Sequence, residues 1–352
     1  GAARVCSVEV VNQRLVANFM EPRAACGEYD AKSKRYTLTT SSQGVNGLQE
    51  SVSGVLGIEP QDLRVVTHDV GGGFGTKTFI YREYPLLLEA AKRLRKPVRW
   101  VSDRTEHFLA AKRCGRAVGW TADRTEHFLG DAHGRDNVTK AEMALDKDGK
   151  FLALRVHILA DLGAYLSQYG PYIPWLGATM ATGPYDIPKV HAVCTAVYTH
   201  SVPVDAYRGA GRPEAAYVLE RLVDACARET GIPREEIRAK NFIKPTQMPY
   251  STPTERVFDV GEFEGAMRKA LENADWSRFP ARREEAKKRG RLRGIGMASY
   301  IECTAWGEGA TGSVTLDKDG GFTIVIGTQS NGQGHATAYA QIVAQHLDID
   351  PA

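Results

Sequence analysis

No stretch of 18 uncharged apolar residues occurs, so nothing in the sequence reads as a transmembrane helix. The first residues, GAARVCSVEV, lack the basic, then apolar, then small-residue order of a secretory leader. They read as strand material, which predicts that the natural protein begins further upstream. Cysteine is sparse: six residues, at 6, 26, 114, 194, 226 and 303, with no C-x-x-C pair and no histidine at ligand spacing. That argues against a zinc site or an iron–sulfur cluster held by this chain alone. Scattered cysteines without a leader favour a reducing compartment, so a cytoplasmic location is expected. Excess charge is missing too, the net value being +3. The densest basic run, 282–293 (RREEAKKRGRLR), contains two glutamates and no aromatic residue. It reads as a solvated helix end, and no nucleic-acid partner is expected. Nucleotide fingerprints are absent as well: the first glycine-rich loop lacks a Gly-Lys-Ser/Thr ending, and Thr76 stands where G-x-G-x-x-G needs its last glycine. This excludes a P-loop and argues against a nicotinamide-dependent dehydrogenase.

What is present alternates between strand and helix signals. Strands are predicted at 35–40, 63–70, 190–200, 312–316 and 322–326. A hairpin is predicted at 141–161, with Asp146-Lys147-Asp148-Gly149 as its turn. Helices are predicted at 45–56, stopped by Gly57, at 84–94, at 215–229, stopped by Gly231, near 263–273, and from 337. The stretch 163–188 reads as loop-rich. A polar, proline-containing break at 249–256 predicts two domains, 1–252 and 253–352, the second incomplete. The fold class expected is α+β.

One block occurs twice. Residues 90–109 (AAKRLRKPVRWVSDRTEHFL) and 110–129 (AAKRCGRAVGWTADRTEHFL) match at 13 positions without a gap. A solenoid needs at least three repeats to bury a continuous core, so this pair reads as a tandem duplication whose second copy is dispensable.

Three strand-to-loop junctions combine glycine with polar or cationic residues: 71–77, 208–212 and 327–335. Glycine lets the backbone approach a ligand closely, and successive N–H groups form an anion-binding concavity. Helices follow the second and third loops, adding positive potential at their N-termini. Three such loops predict a large ligand that is polar at several points, such as a pterin with its phosphates.

These residues resemble signatures of the xanthine dehydrogenase and aldehyde oxidase family. The resemblance rests on Asp69-Val70-Gly71-Gly72-Gly73-Phe74-Gly75-Thr76-Lys77 and on Ala206-Tyr207-Arg208-Gly209-Ala210-Gly211-Arg212-Pro213-Glu214. It rests also on Gly327-Thr328-Gln329 through Gly332-Gln333-Gly334-His335, on Met20-Glu21-Pro22-Arg23-Ala24 and on Thr39-Thr40-Ser41-Ser42-Gln43. The sequence is most similar to the second-form aerobic carbon monoxide dehydrogenase large-chain branch. The resemblance implies a multi-subdomain molybdopterin-binding fold, truncated here at both ends. It implies a molybdenum-pterin cofactor, in its cytosine dinucleotide form, contacted by Gln43, Gly72, Gly73, Phe74, Gly75, Arg208, Gly209, Ala210, Gln333, Gly334 and His335. The metal would be held through the pterin, with no direct protein ligand. The implied reaction is hydroxylation with water as oxygen source, electrons leaving through iron–sulfur clusters and FAD on a small and a medium partner subunit. The family's general-base glutamate lies in a Gly-Glu-Ala-Gly loop that is expected beyond Ala352, so the isolated chain is expected to be inactive. Glu214 and Glu308 are the alternative carboxylates, Glu214 being better explained as a first-turn helix residue.

Two departures narrow the substrate. Carbon monoxide dehydrogenases carry a copper-holding cysteine in the second loop, where this sequence has Gly209; soft Cu(I) then has no thiolate. The purine-hydroxylating branch has a glutamate where Thr78 stands. Aldehydes and N-heteroaromatic rings remain. The alternatives are a carbon monoxide dehydrogenase large-chain-like protein or a non-catalytic cofactor-binding remnant. His68 is expected to be a strand-end histidine bonded to backbone. Trp175, Tyr169 and Tyr172 fit either a substrate channel or ordinary core packing.

Overall fold

The computed structural model describes residues 1–101, 124–302 and 311–351, apart from the side chains at 100, 101, 124 and 126. They fall into two units: Gly1–Leu15 with Gly134–Cys303, and Val16–His133 with Thr304–Ala352. Each mixes helices with mainly antiparallel sheet, the α+β class expected.

In the first unit β1 (Arg4–Asn12), β6 (Asn137–Leu145), β7 (Phe151–Asp161) and β8 (Val190–Val197) form one sheet in that order. β6 and β7 are the predicted hairpin, and Asp146 Oδ1 accepts the N–H groups of Asp148 and Lys150 at 2.8 Å each across its turn. β6 starts earlier than the pattern predicts because its first inward residues are polar. Asn137 and Thr139 face the core, and Asn12 Nδ2 donates to Asn137 Oδ1 at 3.0 Å. β7 and β8 are parallel, and their connection contains α4 (Tyr172–Thr179) in the stretch read as loop. Pro174 and Gly177 within it depress the helical signal. α5 (Arg212–Thr230) lays Val218, Leu219, Leu222, Val223 and Cys226 on Cys6, Val10, Met143, Leu154 and Val156 of the sheet. It ends at left-handed Gly231, whose N–H bonds Ala227 O at 3.0 Å. α6 (Arg234–Asn241) is tied to α5 by fully buried Arg238, which donates to Glu220 Oε2 at 3.0 and 2.8 Å and to Asp224 Oδ1 at 3.0 Å. The polar stretch at 249–256 carries a short ladder of β9 (Tyr250–Ser251) and β10 (Val257–Phe258), and α7 (Phe263–Asn273) and α8 (Phe279–Lys288) follow.

The second unit has a sheet of order β4-β3-β2-β5, formed by β2 (Ala24–Asp30), β3 (Arg35–Thr40), β4 (Leu63–Val66) and β5 (Val98–Val101). α1 (Val45–Leu56) ends at left-handed Gly57, as predicted. α2 (Glu83–Leu94) lies so close to β2 that a Cβ at Gly27 would sit 3.0 Å from the Leu87 carbonyl carbon. β4 stops short of the predicted strand end: Thr67 Oγ1 donates to Thr40 O at 2.7 Å and the chain turns into the first glycine loop. β5 belongs to the first copy of the duplicated block, whereas α3 (Arg124–Gly130) takes its sequence from the second. Residues 102–123, the rest of that duplication, and Glu308 lie outside the described residues. β11 (Gly312–Leu316) and β12 (Phe322–Ile326) form a hairpin ahead of α9 (His335–Leu347). Among the described residues no helix is long and apolar enough to cross a membrane.

Candidate functional site

The first glycine loop is built by two side chains that no spacing argument identifies. Glu21 Oε2 accepts Gly71 N–H at 2.7 Å and Lys77 Nζ at 2.8 Å, and Lys77 Nζ also donates to Glu21 O at 2.9 Å. Lys77 is buried beneath the Phe19 ring, and burial pushes its amine below the ordinary range despite the opposing pull of Glu21. From the other side Gln43 Oε1 accepts Gly75 N–H at 2.8 Å and Lys77 N–H at 3.3 Å. Both donors are backbone, so the amide oxygen points inward, and the Gln43 NH₂ has no acceptor among the described residues. A Cβ at Gly73 would sit 2.3 Å from Gln43 Oε1, so any larger residue there would displace the Gln43 side chain. Gly72, Phe74 and Gly75 are all left-handed, and Phe74 is 41% exposed. The N–H groups of Gly72, Gly73 and Phe74 have no acceptor among the described residues.

The third loop belongs to the same unit and meets the segment beside Gln43. Gln329 Nε2 donates to Ser42 O at 2.5 Å, while Gln333 Oε1 turns back to accept Asn331 N–H within its own loop. Gln329, rather than Gln333, is therefore the glutamine that joins the third loop to the segment beside Gln43. Gly332 and Gly334 are left-handed, and Gly334 caps α9. The His335 ring is tilted 39° to that of Tyr339, centroids 5.1 Å apart, and its Nδ1 is buried without a partner among the described residues.

Behind the first loop lies a buried charge cluster. Arg23 donates to Asp131 Oδ1 from Nε at 2.8 Å, and its guanidinium carbon sits 3.3 Å from the Tyr81 ring centroid. His127 places Nδ1 2.7 Å from Asp131 Oδ2 and Nε2 2.9 Å from Ala17 O. Desolvation raises the Asp131 carboxyl, but the Arg23 charge and the His127 hydrogen bond outweigh it and hold it below its ordinary value.

The second loop belongs to the first unit. Gly209, Ala210 and Gly211 are consecutive left-handed residues. Gly211 packs backbone to backbone on α4: a Cβ there would sit 2.2 Å from Ile173 O and 2.6 Å from Gly177 N. Arg212 holds Gly209 O through Nη1 at 3.0 Å and Glu302 Oε1 through Nε at 2.8 Å. Arg208 projects outward. Glu214 is in the first turn of α5 as expected, but it is buried and paired with Arg135 at 3.0 Å.

Several other readings change. His68 is exposed, and its side chain makes no hydrogen bond to backbone among the described residues. Trp175 and Tyr172 lie on α4 with more than half their surface exposed, so they are not core residues, while Tyr169 is half-buried. Glu21, Arg23 and Gln329 were within the motifs that the sequence presents, but only their bonding shows what they hold.

A family model described as a molybdopterin cofactor-binding domain matches residues 1–113 and 108–242, and a second of the same description matches 269–352. The chain belongs to this molybdopterin cofactor-binding family. It is 34% identical over 351 residues to the carbon monoxide dehydrogenase large chain of Hydrogenophaga pseudoflava, covering 93% of this chain and 41% of that one. To the nicotine 6-hydroxylase large subunit of Paenarthrobacter nicotinovorans it is 30% identical over 351 residues, covering 96% and 40% respectively. Quinoline 2-oxidoreductase from Pseudomonas putida 86 superposes with a TM-score of 0.85 at 29% identity, covering 97% of this chain and 43% of that one. The chain thus spans about two fifths of the length of these relatives. The two pieces of the first family match overlap at 108–113, inside the duplicated block.

Proposed function

We propose that this chain is the cofactor-binding part of a molybdenum hydroxylase that oxidises an aldehyde or N-heteroaromatic substrate, with water as oxygen source. The observation that carries the reading is the first loop. Gly72, Gly73 and Phe74 offer three N–H groups, and Gln43 its NH₂, none of them with an acceptor among the described residues. A cofactor rich in oxygen acceptors fits such a donor set, and the orphaned Nδ1 of His335 adds a polar group in the third loop of the same unit. Gln43, Gly72, Gly73, Phe74 and Gly75 would hold the group there, with Gln333, Gly334 and His335 from the third loop. The family resemblance adds Arg208, Gly209 and Ala210 of the second loop as cofactor contacts. The bound molybdenum centre would supply the redox chemistry, and the protein's part is orientation and electrostatics.

The finer assignments belong to the same proposal. The cofactor is the cytosine dinucleotide form, electrons pass to iron–sulfur and FAD-bearing partner subunits, and the complex is cytoplasmic. The cofactor domains divide near residue 253. A ring substrate is favoured over carbon monoxide because the second loop has no cysteine, and because two of the relatives are named for nicotine and quinoline.

The test is molybdenum content of the full-length subunit, purified with its partners, followed by reduction of an artificial acceptor by benzaldehyde and by quinoline. About one molybdenum per subunit and turnover of either substrate are expected. Gly73→Val, which pushes Gln43 off the loop, should lower the metal content severalfold. A wild-type protein free of molybdenum would sink the proposal.

A further inference from the structure

We infer that Arg135 is a positioning residue for the second glycine loop, fixing which way the peptide between Arg208 and Gly209 points. This rests on the reading of that loop as one that flanks the cofactor. Of three consecutive left-handed residues, Gly209 and Gly211 adopt that conformation freely, while Ala210 carries its penalty, and the loop is held by bonds to its carbonyls. Its carbonyls supply the points of attachment. Tyr207 O accepts Ala210 N–H at 2.7 Å, and Gly209 O accepts both the N–H of Arg212 at 3.2 Å and its Nη1 at 3.0 Å. Among the described residues the donor to Arg208 O is Arg135 Nη2, at 2.7 Å.

That single bond decides the sign of a dipole. Gly209 N–H has no acceptor among the described residues, and it belongs to the same peptide unit as Arg208 O. With the carbonyl drawn toward Arg135, the N–H faces the opposite side and can donate to an oxygen-bearing ligand. Without Arg135 the Arg208 carbonyl loses that bond, and Gly209 is the residue type that tolerates a flip of this peptide. A flipped peptide would present an oxygen to an oxygen-rich ligand.

Arg135 is itself held on every side. Its Nη1 donates to buried Glu214 Oε2 at 3.0 Å, and its guanidinium carbon lies 4.9 Å from the Tyr207 ring centroid. Tyr207 in turn rests on Gly134, where a Cβ would come within 2.4 Å of it. The backbone of Arg135 is left-handed, as is that of Asp136, which turns its carboxylate to Arg14 at 2.6 Å.

The experiment uses the full-length holoenzyme with Arg135→Met, Arg135→Lys and, as a control, Arg14→Met, which breaks the neighbouring ion pairs. Arg135→Lys keeps a charge for Glu214 but cannot also hold Arg208 O. Both Arg135 variants should shift the Mo(V) paramagnetic resonance signal and lower kcat about 100-fold with little change in KM, as expected for misplaced donors. Arg135→Lys should do so without losing thermal stability, so the test stands even if Arg135→Met fails to fold. Arg14→Met should lower the midpoint and leave the signal alone. An Arg135→Lys enzyme with wild-type signal and kcat overturns the inference, as does the same signal change in Arg14→Met. A wild-type enzyme without molybdenum overturns the functional reading and this inference with it.

Discussion

Gly211 and Gly334 are both left-handed, yet what surrounds them differs. A Cβ at 211 meets backbone of α4 at 2.2 Å, whereas a Cβ at 334 meets nothing within 4 Å. Gly334→Ala should therefore cost only the left-handed penalty, about 1–2 kcal/mol. Gly211→Ala adds the displacement of packed backbone, for a total of about 3 kcal/mol or more. Urea unfolding of the two variants checks this, and equal losses would refute the close packing. Asp131 supplies a pH test at the same scale. Because Arg23 and His127 hold its carboxyl below the ordinary value, its ionised form stabilises the fold fully above the usual aspartate range. That contribution disappears as pH falls through the depressed folded-state value. Asp131→Asn removes the nearer carboxylate from buried Arg23, leaving Glu83 at 3.9 Å, and should cost up to about 3 kcal/mol at pH 7. The difference from wild type should shrink below about pH 4. A difference that stays constant from pH 7 to pH 3 would show that charge is not what Asp131 contributes.

The duplicated block is resolved at the level of whole elements. The fold takes β5 from the first copy and α3 from the second. The reason is continuity: β5 follows directly on α2, and α3 runs directly into Asp131, the partner of its own His127. In the first copy the residue four beyond His107 is Ala111, which has no carboxylate. Deleting residues 110–129 joins Leu109 to Gly130, recreating the α3 sequence and the spacing of His107 to Asp131. The deletion should leave the fold intact and raise the thermal midpoint. An unfolded deletion product would mean that the extra block is a structural element. Elements with their own periodicity and caps, such as α1, β3 and the β6–β7 turn, were legible in the sequence. α4 was not, since Pro174 and Gly177 weaken its pattern, and neither was the start of β6, where Asn137 and Thr139 occupy inward positions.

For the molecule as a whole, the glycine loops and the cofactor class could be read from motifs, because glycine, glutamine and histidine at strand ends leave a local signature. The restraints behind them could not be. Arg135 with Arg208, Glu21 with Lys77 and Gln329 with Ser42 are pairs distant in sequence, each a bond to backbone or to a buried partner that carries no periodic pattern. The same is true of β1, whose partner is β6: Asn12 faces Asn137 and Arg4 faces Leu145. At Leu15 the chain leaves the first unit and at Gly134 it returns, the two residues bridged by N–H to carbonyl bonds of 3.0 and 2.8 Å. On the ribosome this order has a cost in time. At about 5–20 residues per second, β1 emerges roughly 6 to 25 seconds before the strand that completes it, an exposed edge carrying Val5 and Val11. A holdase that covers nascent β1 would be of most use during that interval, while the nested unit is being synthesised.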